Sequence, residues 1–331
     1  MSATPDATIP SSAPALAVPP PDISHLDKVA YLFGYPIAHS LSPLFHSTIF
    51  NSLSLNYNQF LYETRSLSDC LLLTQSPKFL GASVTMPFKV AILPHLDLLT
   101  PEGSAIGAIN TIYHRTSPDG RRLLCGTNTD CIGIREALLQ NAPPHITASA
   151  CGAAGMVIGG GGTCRAAVYA LKKFLGCETI YMVNRDKSEC DAVITECSTN
   201  GFGSGLVYIE SIAQAQSLPA PKVVVSAIPD FPPVSEDEKR ARGIIDEFLS
   251  KEEGKGAMLE MCYHPSPETQ IAALAEGRGW LVVGGVEAMI WQGLEQEKVW
   301  LGVETRDLPV ETVKRVVKEK LARPKEVGTK L

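Results

Sequence analysis

The chain has 331 residues, 45% of them hydrophobic, and a formal net charge of -6. That length accommodates two domains with full cores, and the acidic balance leaves no electrostatic footprint for nucleic acid or an anionic membrane. No apolar run approaches the roughly 20 residues needed to span a bilayer.

Residues 1–26 read as a disordered, proline-rich tail. Met1 to Pro21 carries six prolines and lacks the basic and apolar blocks of a signal peptide, and it has no arginine of the kind a mitochondrial presequence uses. Lys28 to Gly34 is a continuous apolar run and predicts a buried strand. Ser42 to Leu53 predicts a helix with Pro43 in its first turn. Asn58 to Tyr62 predicts a second strand, Ser66 to Leu73 a helix, and Phe79 to Thr85 a third strand. Ala108 to His114 and Arg121 to Cys125 predict a hairpin turning at Ser117-Pro118-Asp119-Gly120.

Asn141-Ala142-Pro143-Pro144 breaks the pattern and marks a boundary. A second α/β unit follows. Its strands are predicted at Met156–Gly159, Thr179–Val183, Leu206–Ile209, Val223–Ala227, Met258–Met261 and Leu281–Val283. Short apolar strands of this kind suit a parallel sheet covered on both faces. Glu236 to Lys255 is charged and is expected to cover the outside. Helices are predicted at Glu287–Trp300 and Val310–Leu321. The domains expected are 27–141, 142–286, and a C-terminal pair of helices over 287–325.

The second unit begins with Gly159-Gly160-Gly161-Gly162-Thr163, between an apolar strand and an alanine-rich helical stretch from Ala166 to Leu175. Strand, tight glycine loop and helix form the setting in which backbone N–H groups hold a dinucleotide pyrophosphate. The next strand ends Asn184-Arg185-Asp186, where the adenosine ribose is expected. Arg185 can hold a 2′-phosphate. Asp186 is placed to neutralise Arg185 and to oppose that phosphate, and it can accept from a free ribose hydroxyl or cap the following helix. NAD is the expected cofactor, with NADP the alternative. The nine cysteines form no CxxC pair, and small buried thiols in a reducing cytosol are expected, with no metal site.

Polar residues recur at the strand-to-loop junctions of the first unit: Ser40 and Ser42, Thr85 and Lys89, Asn110, and Asp130. Ser40 and Ser42 suit helix caps as well as a polyhydroxylated ligand. A lone lysine is usually a solvated charge, and Asn and Asp often only make turns. Polar groups gathered along one edge of an α/β sheet form a site for a small polar molecule.

These residues carry a resemblance. GYPIAHSLSP (Gly34–Pro43), VTMPFK (Val84–Lys89), AIGAINT (Ala105–Thr111) and GTNTD (Gly126–Asp130) occur in order. The glycine loop with Arg165, Asn184-Arg185, and a late block from Tyr263 to Gln292 follow. Together they resemble the shikimate/quinate dehydrogenase family over nearly everything from Tyr31 to Gly302. The resemblance implies an α/β substrate domain, a Rossmann-like domain, and a cleft site between them. The terminal helices return to the first domain. It implies a catalytic pair of Lys89 and Asp130. It implies substrate contacts from Ser40, Ser42, Thr85, Asn110 and Gln292, with Tyr263 beside substrate and nicotinamide. The dinucleotide is expected on the glycine loop, Asn184, Arg185, Asp186, Ala227 and Gly285.

The implied reaction is the reversible NAD(P)-dependent oxidation of quinate or shikimate, by a cytoplasmic monomer or homodimer of free-standing fungal type. A non-catalytic regulator on the same scaffold, or an enzyme for a related cyclic acid, are the alternatives. The chain departs from the family pattern at Ser83, Glu260, Asp186 and Cys131. Asp186 bears on cofactor choice and the others on pocket shape.

Overall fold

The computed structural model describes residues 18–264 and 266–322. The first half runs β1 (Lys28–Gly34), α1 (Ser42–Ser52), β2 (Tyr57–Glu63), α2 (Leu67–Thr74), β3 (Phe79–Val84) and α3 (Phe88–Ala91). It continues through β4 (Leu98–Leu99), α4 (Pro101–Ile106), β5 (Thr111–Thr116), β6 (Arg122–Thr127) and α5 (Asp130–Asn141). The six strands form one sheet in the order β2-β1-β3-β5-β6-β4. β1 lies parallel to β2 and β3, whereas β5 is antiparallel to β3 and β6. The hairpin expected from Ser117 to Gly120 is therefore present.

The second half runs α6 (Pro144–Ala148), β7 (Ala154–Ile158), α7 (Gly162–Tyr169), β8 (Thr179–Val183), α8 (Lys187–Thr199) and β9 (Leu206–Tyr208). α9 (Ile212–Ser217), β10 (Val223–Ser226), α10 (Glu236–Ser250), β11 (Ala257–Glu260), α11 (Gln270–Gly277) and β12 (Leu281–Gly284) follow. All strand pairs of this second sheet are parallel, in the order β12-β11-β10-β7-β8-β9. That is the doubly wound Rossmann order, and its reversal point falls between β7 and β10, where ligands bind at the strand ends. α10 is charged as expected. It still buries Ile244, Ile245, Phe248 and Leu249 against the sheet.

Two terminal helices close the fold: α12 (Gly285–Leu301) and α13 (Val310–Ala322). They return to the first half, where Ile290, Leu294, Val313 and Val317 bury against Phe45 and Ile49 of α1. Gly133 permits the tight crossing of α5 and α12, because a Cβ there would lie 2.5 Å from the Ala288 carbonyl oxygen and 2.8 Å from Gln292 Cβ.

The expected tail over 1–26 ends sooner than its composition suggested. Residues 1–17 lie outside the described residues, but residues 18–26 dock. Leu26 is buried, Val18 and Ile23 pack against the core under the first sheet, and the Tyr62 hydroxyl donates to the Val18 carbonyl at 2.8 Å. Apolar residues at wide spacing hold this segment although prolines dominate its sequence. All nine cysteines are unpaired; seven are buried, Cys262 is half-buried and Cys151 exposed.

Candidate active site in the cleft

A cavity of about 260 Å³ opens between the two sheets. The first half lines it with Ser40, Ser42, Thr85, Lys89, Asn110 and Asp130; β11 and its loop add Met261 and Tyr263, and α12 adds Gly285 and Gln292. All eight catalytic and substrate residues expected from sequence thus meet in one place.

Local chain geometry sets the pair at its centre. After β3 the chain turns through Met86-Pro87 into the short α3, whose Phe88 is buried and fixes the position of Lys89. Asp130 is the first residue of α5, where the helix start favours negative charge. Lys89 Nζ lies 2.5 Å from Asp130 Oδ2, with the two side chains only 19% and 15% exposed. Asn110 Nδ2 donates to Asp130 Oδ1 at 2.7 Å and to Gln292 Oε1 at 3.2 Å. The Thr129 N–H and Thr111 hydroxyl donate to Asn110 Oδ1 at 2.7 Å and 2.9 Å, which fixes the amide's orientation.

Behind these groups runs a polar chain that sequence reasoning left out. Ser42 Oγ donates to Gln59 Oε1 at 2.7 Å, and Gln59 Nε2 donates to Ser83 Oγ at 3.1 Å. Ser83 Oγ donates to Gln296 Oε1 at 3.0 Å, and Gln296 Nε2 donates to Thr111 Oγ1 at 2.9 Å. Gln59, Ser83, Thr111 and Gln296 are all buried. Such a satisfied network holds its members rigidly and makes any single gap costly. The spacing of Gln296 from Gln292, four residues on one helix, was the available signal. The helix-cap alternative forms only in part, through Ser40 and the N–H of the first α1 residue: the N-cap position itself is Leu41, without a side-chain cap bond. Ser40 Oγ accepts from the Ser42 N–H at 3.2 Å.

Tyr263 is half-buried at the rim, and its enclosure raises its phenol above the usual range. Beside it, His39 and His264 stack with ring centroids 4.3 Å apart. Glu260, at the end of β11, is buried, and burial pushes its carboxyl up to about 7 although the Cys262 N–H donates to it at 2.9 Å.

A second cavity, of about 380 Å³, opens at the ends of β7, β8 and β10. Gly160, Gly161, Asn184, Arg185 and Ala227 line it, as expected from sequence. Gly159, Gly162 and Thr163 form the adjoining loop and the start of α7. Gly159 has φ +121°, and a Cβ on Gly160 would collide with Glu189 Cβ, so both positions need glycine. Around Gly161 and Gly162 a Cβ would meet nothing within 4 Å, and α7 has no side-chain cap. Open space before uncapped helix N–H groups fits a dinucleotide pyrophosphate.

Two expectations need correction. Asp186 does not neutralise Arg185. Its carboxylate accepts the Ser188 hydroxyl at 2.7 Å and the Ser188 N–H at 2.8 Å and so caps α8. Those bonds hold its pKa below the ordinary value. Arg185 pairs with Glu238 of α10 instead. Gly285, expected at the dinucleotide, lines the substrate cavity. A Cβ there would collide with the Met261 carbonyl oxygen, so it serves close packing of α12 on β11. Among the described residues no group of three His, Cys, Asp or Glu can hold a metal. Among the same residues no helix is long and apolar enough to cross a membrane.

Comparison with known proteins agrees with this architecture. The family model for the shikimate dehydrogenase substrate binding domain matches residues 32–112. A quinate dehydrogenase from Emericella nidulans is 45% identical over 316 residues, 89% of this chain and 95% of its own. The solved dehydroquinate dehydratase and shikimate dehydrogenase from S. pombe AroM superposes with a TM-score of 0.72 at 30% identity, covering 88% of this chain and 53% of that one. The shikimate 5-dehydrogenase from Thermus thermophilus, solved with NADP(H) and shikimate, gives 0.66 at 28% identity, covering 87% and 99%.

Proposed function

The chain belongs to the shikimate/quinate dehydrogenase family, NAD(P)-dependent oxidoreductases acting on a CH–OH group, and we propose that it is a quinate dehydrogenase that uses NAD. On this reading residues 27–141 bind the cyclic acid, 142–286 bind the dinucleotide, and 287–325 tie the two together.

The observation that carries the reading is the Lys89–Asp130–Asn110–Gln292 cluster, which faces the strand ends of the second sheet across one cleft. Oxidising a secondary alcohol needs a proton acceptor at the hydroxyl and a hydride acceptor on the other side of the same carbon. The nicotinamide supplies the hydride acceptor when bound. Lys89 and Asp130 handle the proton, and the Lys89 ammonium stabilises alkoxide charge as it develops. Asn110 and Gln292 orient the ring hydroxyls, while Ser40, Ser42 and Thr85 complete the polar wall. Support for quinate comes from the Emericella nidulans relative, which is named for that substrate and matches along nearly its whole length.

Support for NAD comes from the adenosine end, where Arg185 already has a carboxylate partner. The test is kcat/KM for quinate and for shikimate, each with NAD and NADP, followed by absorbance of the reduced nicotinamide. Quinate with NAD should be the best combination. Preference for shikimate or for NADP overturns the corresponding half of the proposal, and no turnover with any pair overturns the enzyme role.

A further inference from the structure

Arg185 follows β8 at the point where a doubly wound sheet presents the adenosine ribose. An arginine there normally suits a 2′-phosphate, because its planar fork pairs with phosphate oxygens. In this chain one arm of the fork, Nη1, already has a carboxylate partner. Glu238 Oε1 takes the Arg185 guanidinium in a short ion pair, while Glu238 Oε2 accepts the Val234 and Ser235 N–H groups, each at 2.9 Å. Ser235 Oγ in turn accepts the Glu238 N–H, closing a capping box at the start of α10.

The carboxylate is therefore held by the backbone. Hydrogen bonds from Ser235 and Val234, followed by the one from Arg185, bring its pKa down to about 2, so it stays charged throughout the working range. Both residues line the cavity at the ends of β8 and β10.

From this arrangement we infer that Glu238, rather than a residue of the loop after β8, is what makes the adenosine pocket reject a 2′-phosphate. The inference rests on the NAD reading above and names the residue responsible for it. A 2′-phosphate would have to compete with Glu238 for Arg185 and sit beside a carboxylate held by two backbone N–H groups. Such a like-charge contact disfavours the wrong ligand more than a missing contact does. A free 2′-hydroxyl meets no such barrier and can donate to the same carboxylate. The neighbouring charges do not change the sign. Arg242 and Glu189 also line the cavity, so two guanidiniums face two carboxylates. Asp186 is occupied as the cap of α8.

The test uses Glu238→Gln, since glutamine keeps the capping box and hence the helix start. Binding of AMP and of adenosine 2′,5′-bisphosphate is measured by calorimetry on the full chain, alongside kcat/KM with NAD and NADP. Thermal melting checks that the variant is folded. Wild type should prefer AMP. In Glu238→Gln the affinity ratio should move toward the bisphosphate by about tenfold, the lower end of a charged hydrogen bond's worth because the site is partly exposed. Adding Arg185→Ala should remove the part of the shift that comes from freeing the guanidinium and leave the part that comes from removing the like charge. A wild-type preference for the bisphosphate and NADP overturns the cofactor reading itself. A wild-type preference for AMP with an unmoved ratio in folded Glu238→Gln leaves that reading standing and overturns the role of Glu238. A gain that Arg185→Ala leaves wholly undiminished overturns the part assigned to the Arg185 pair.

Discussion

Replacing Lys89 by methionine tests the centre of the proposed mechanism. Methionine keeps most of the side-chain volume and removes the ammonium. Asp130 would lose its partner at 2.5 Å but keep the Asn110 amide at 2.7 Å and its place at the start of α5. The carboxylate should thus stay in position, and the folded state should lose about 1–2 kcal/mol for the unpaired, mostly buried charge. Turnover depends on the proton leaving the substrate hydroxyl, a contribution typically worth ~10²–10⁴-fold. A fall of that size in kcat is expected at saturating quinate and dinucleotide. Dinucleotide affinity, read by fluorescence titration, should stay near wild type because Lys89 stands in the first half of the chain, away from the glycine loop. A kcat within about threefold of wild type, less than 1 kcal/mol of barrier, refutes the role. A loss of dinucleotide affinity as large as the loss in kcat refutes it too, since the residue would then act on binding.

Three further outcomes follow from the site. Gln292→Ala should raise KM for the cyclic acid by about ten- to a hundredfold, the ~1–3 kcal/mol of an unpaired buried partner; an unchanged KM would reduce Gln292 to packing. Gln296→Leu takes from the Ser83 hydroxyl its acceptor and from Thr111 Oγ1 its amide donor and should cost roughly 2–4 kcal/mol of stability, seen as a clear drop in melting temperature. A melting temperature equal to wild type would show the polar chain to be dispensable. Glu260→Gln should change how stability depends on pH. The carboxyl sits at about 7 when folded against an ordinary 4.5, so the folded state binds more protons between those values. Wild type should then lose stability as pH rises from 4.5 toward 7, by an amount on the order of a few kcal/mol. The variant should lack that slope, and equal slopes in thermal melts would show that Glu260 ionises freely.

The strands were legible because their signal is local. KVAYLFG is a single apolar run, and β1 occupies Lys28–Gly34 as expected. β8 likewise matches Thr179–Val183. Elements without such a run escaped. β4 is two exposed leucines that borrow their shape from β6, and α5 has almost no amphipathic pattern because both of its faces are covered, by α12 and by α7. The site followed the same rule. Most of its motif residues stand at strand-to-loop junctions and could be named singly, whereas Gln59, Ser83 and Gln296 owe their role to meeting across three elements. Glu238 shows the limit plainly. Its capping box with Ser235 is visible locally, but its partner Arg185 lies 53 residues away, so the sequence offered the adjacent Asp186 in its place.

That dependence on assembly bears most heavily on α12. The helix places Gln292 and Gln296 in the cavity. The following turn drives Glu297 and Trp300 into the first half, where Trp300 Nε1 donates to the Ile112 carbonyl at 3.3 Å. Glu297 Oε1 lies 2.5 Å from His46 Nδ1 in a fully buried pair, and burial raises the Glu297 carboxyl above its ordinary range. Among the described residues, His46 Nε2 and Glu297 Oε2 have no further partner. Such a pair contributes little net stability over an apolar contact, but it strongly penalises any rotation or slide that would separate its members. Gln292 and Gln296 share the helix with Glu297, so the same penalty fixes their heading toward the substrate. Rotation of α12 would misplace both amides at once. The register of one terminal helix thus sets both how the two halves are joined and how the cyclic acid is held.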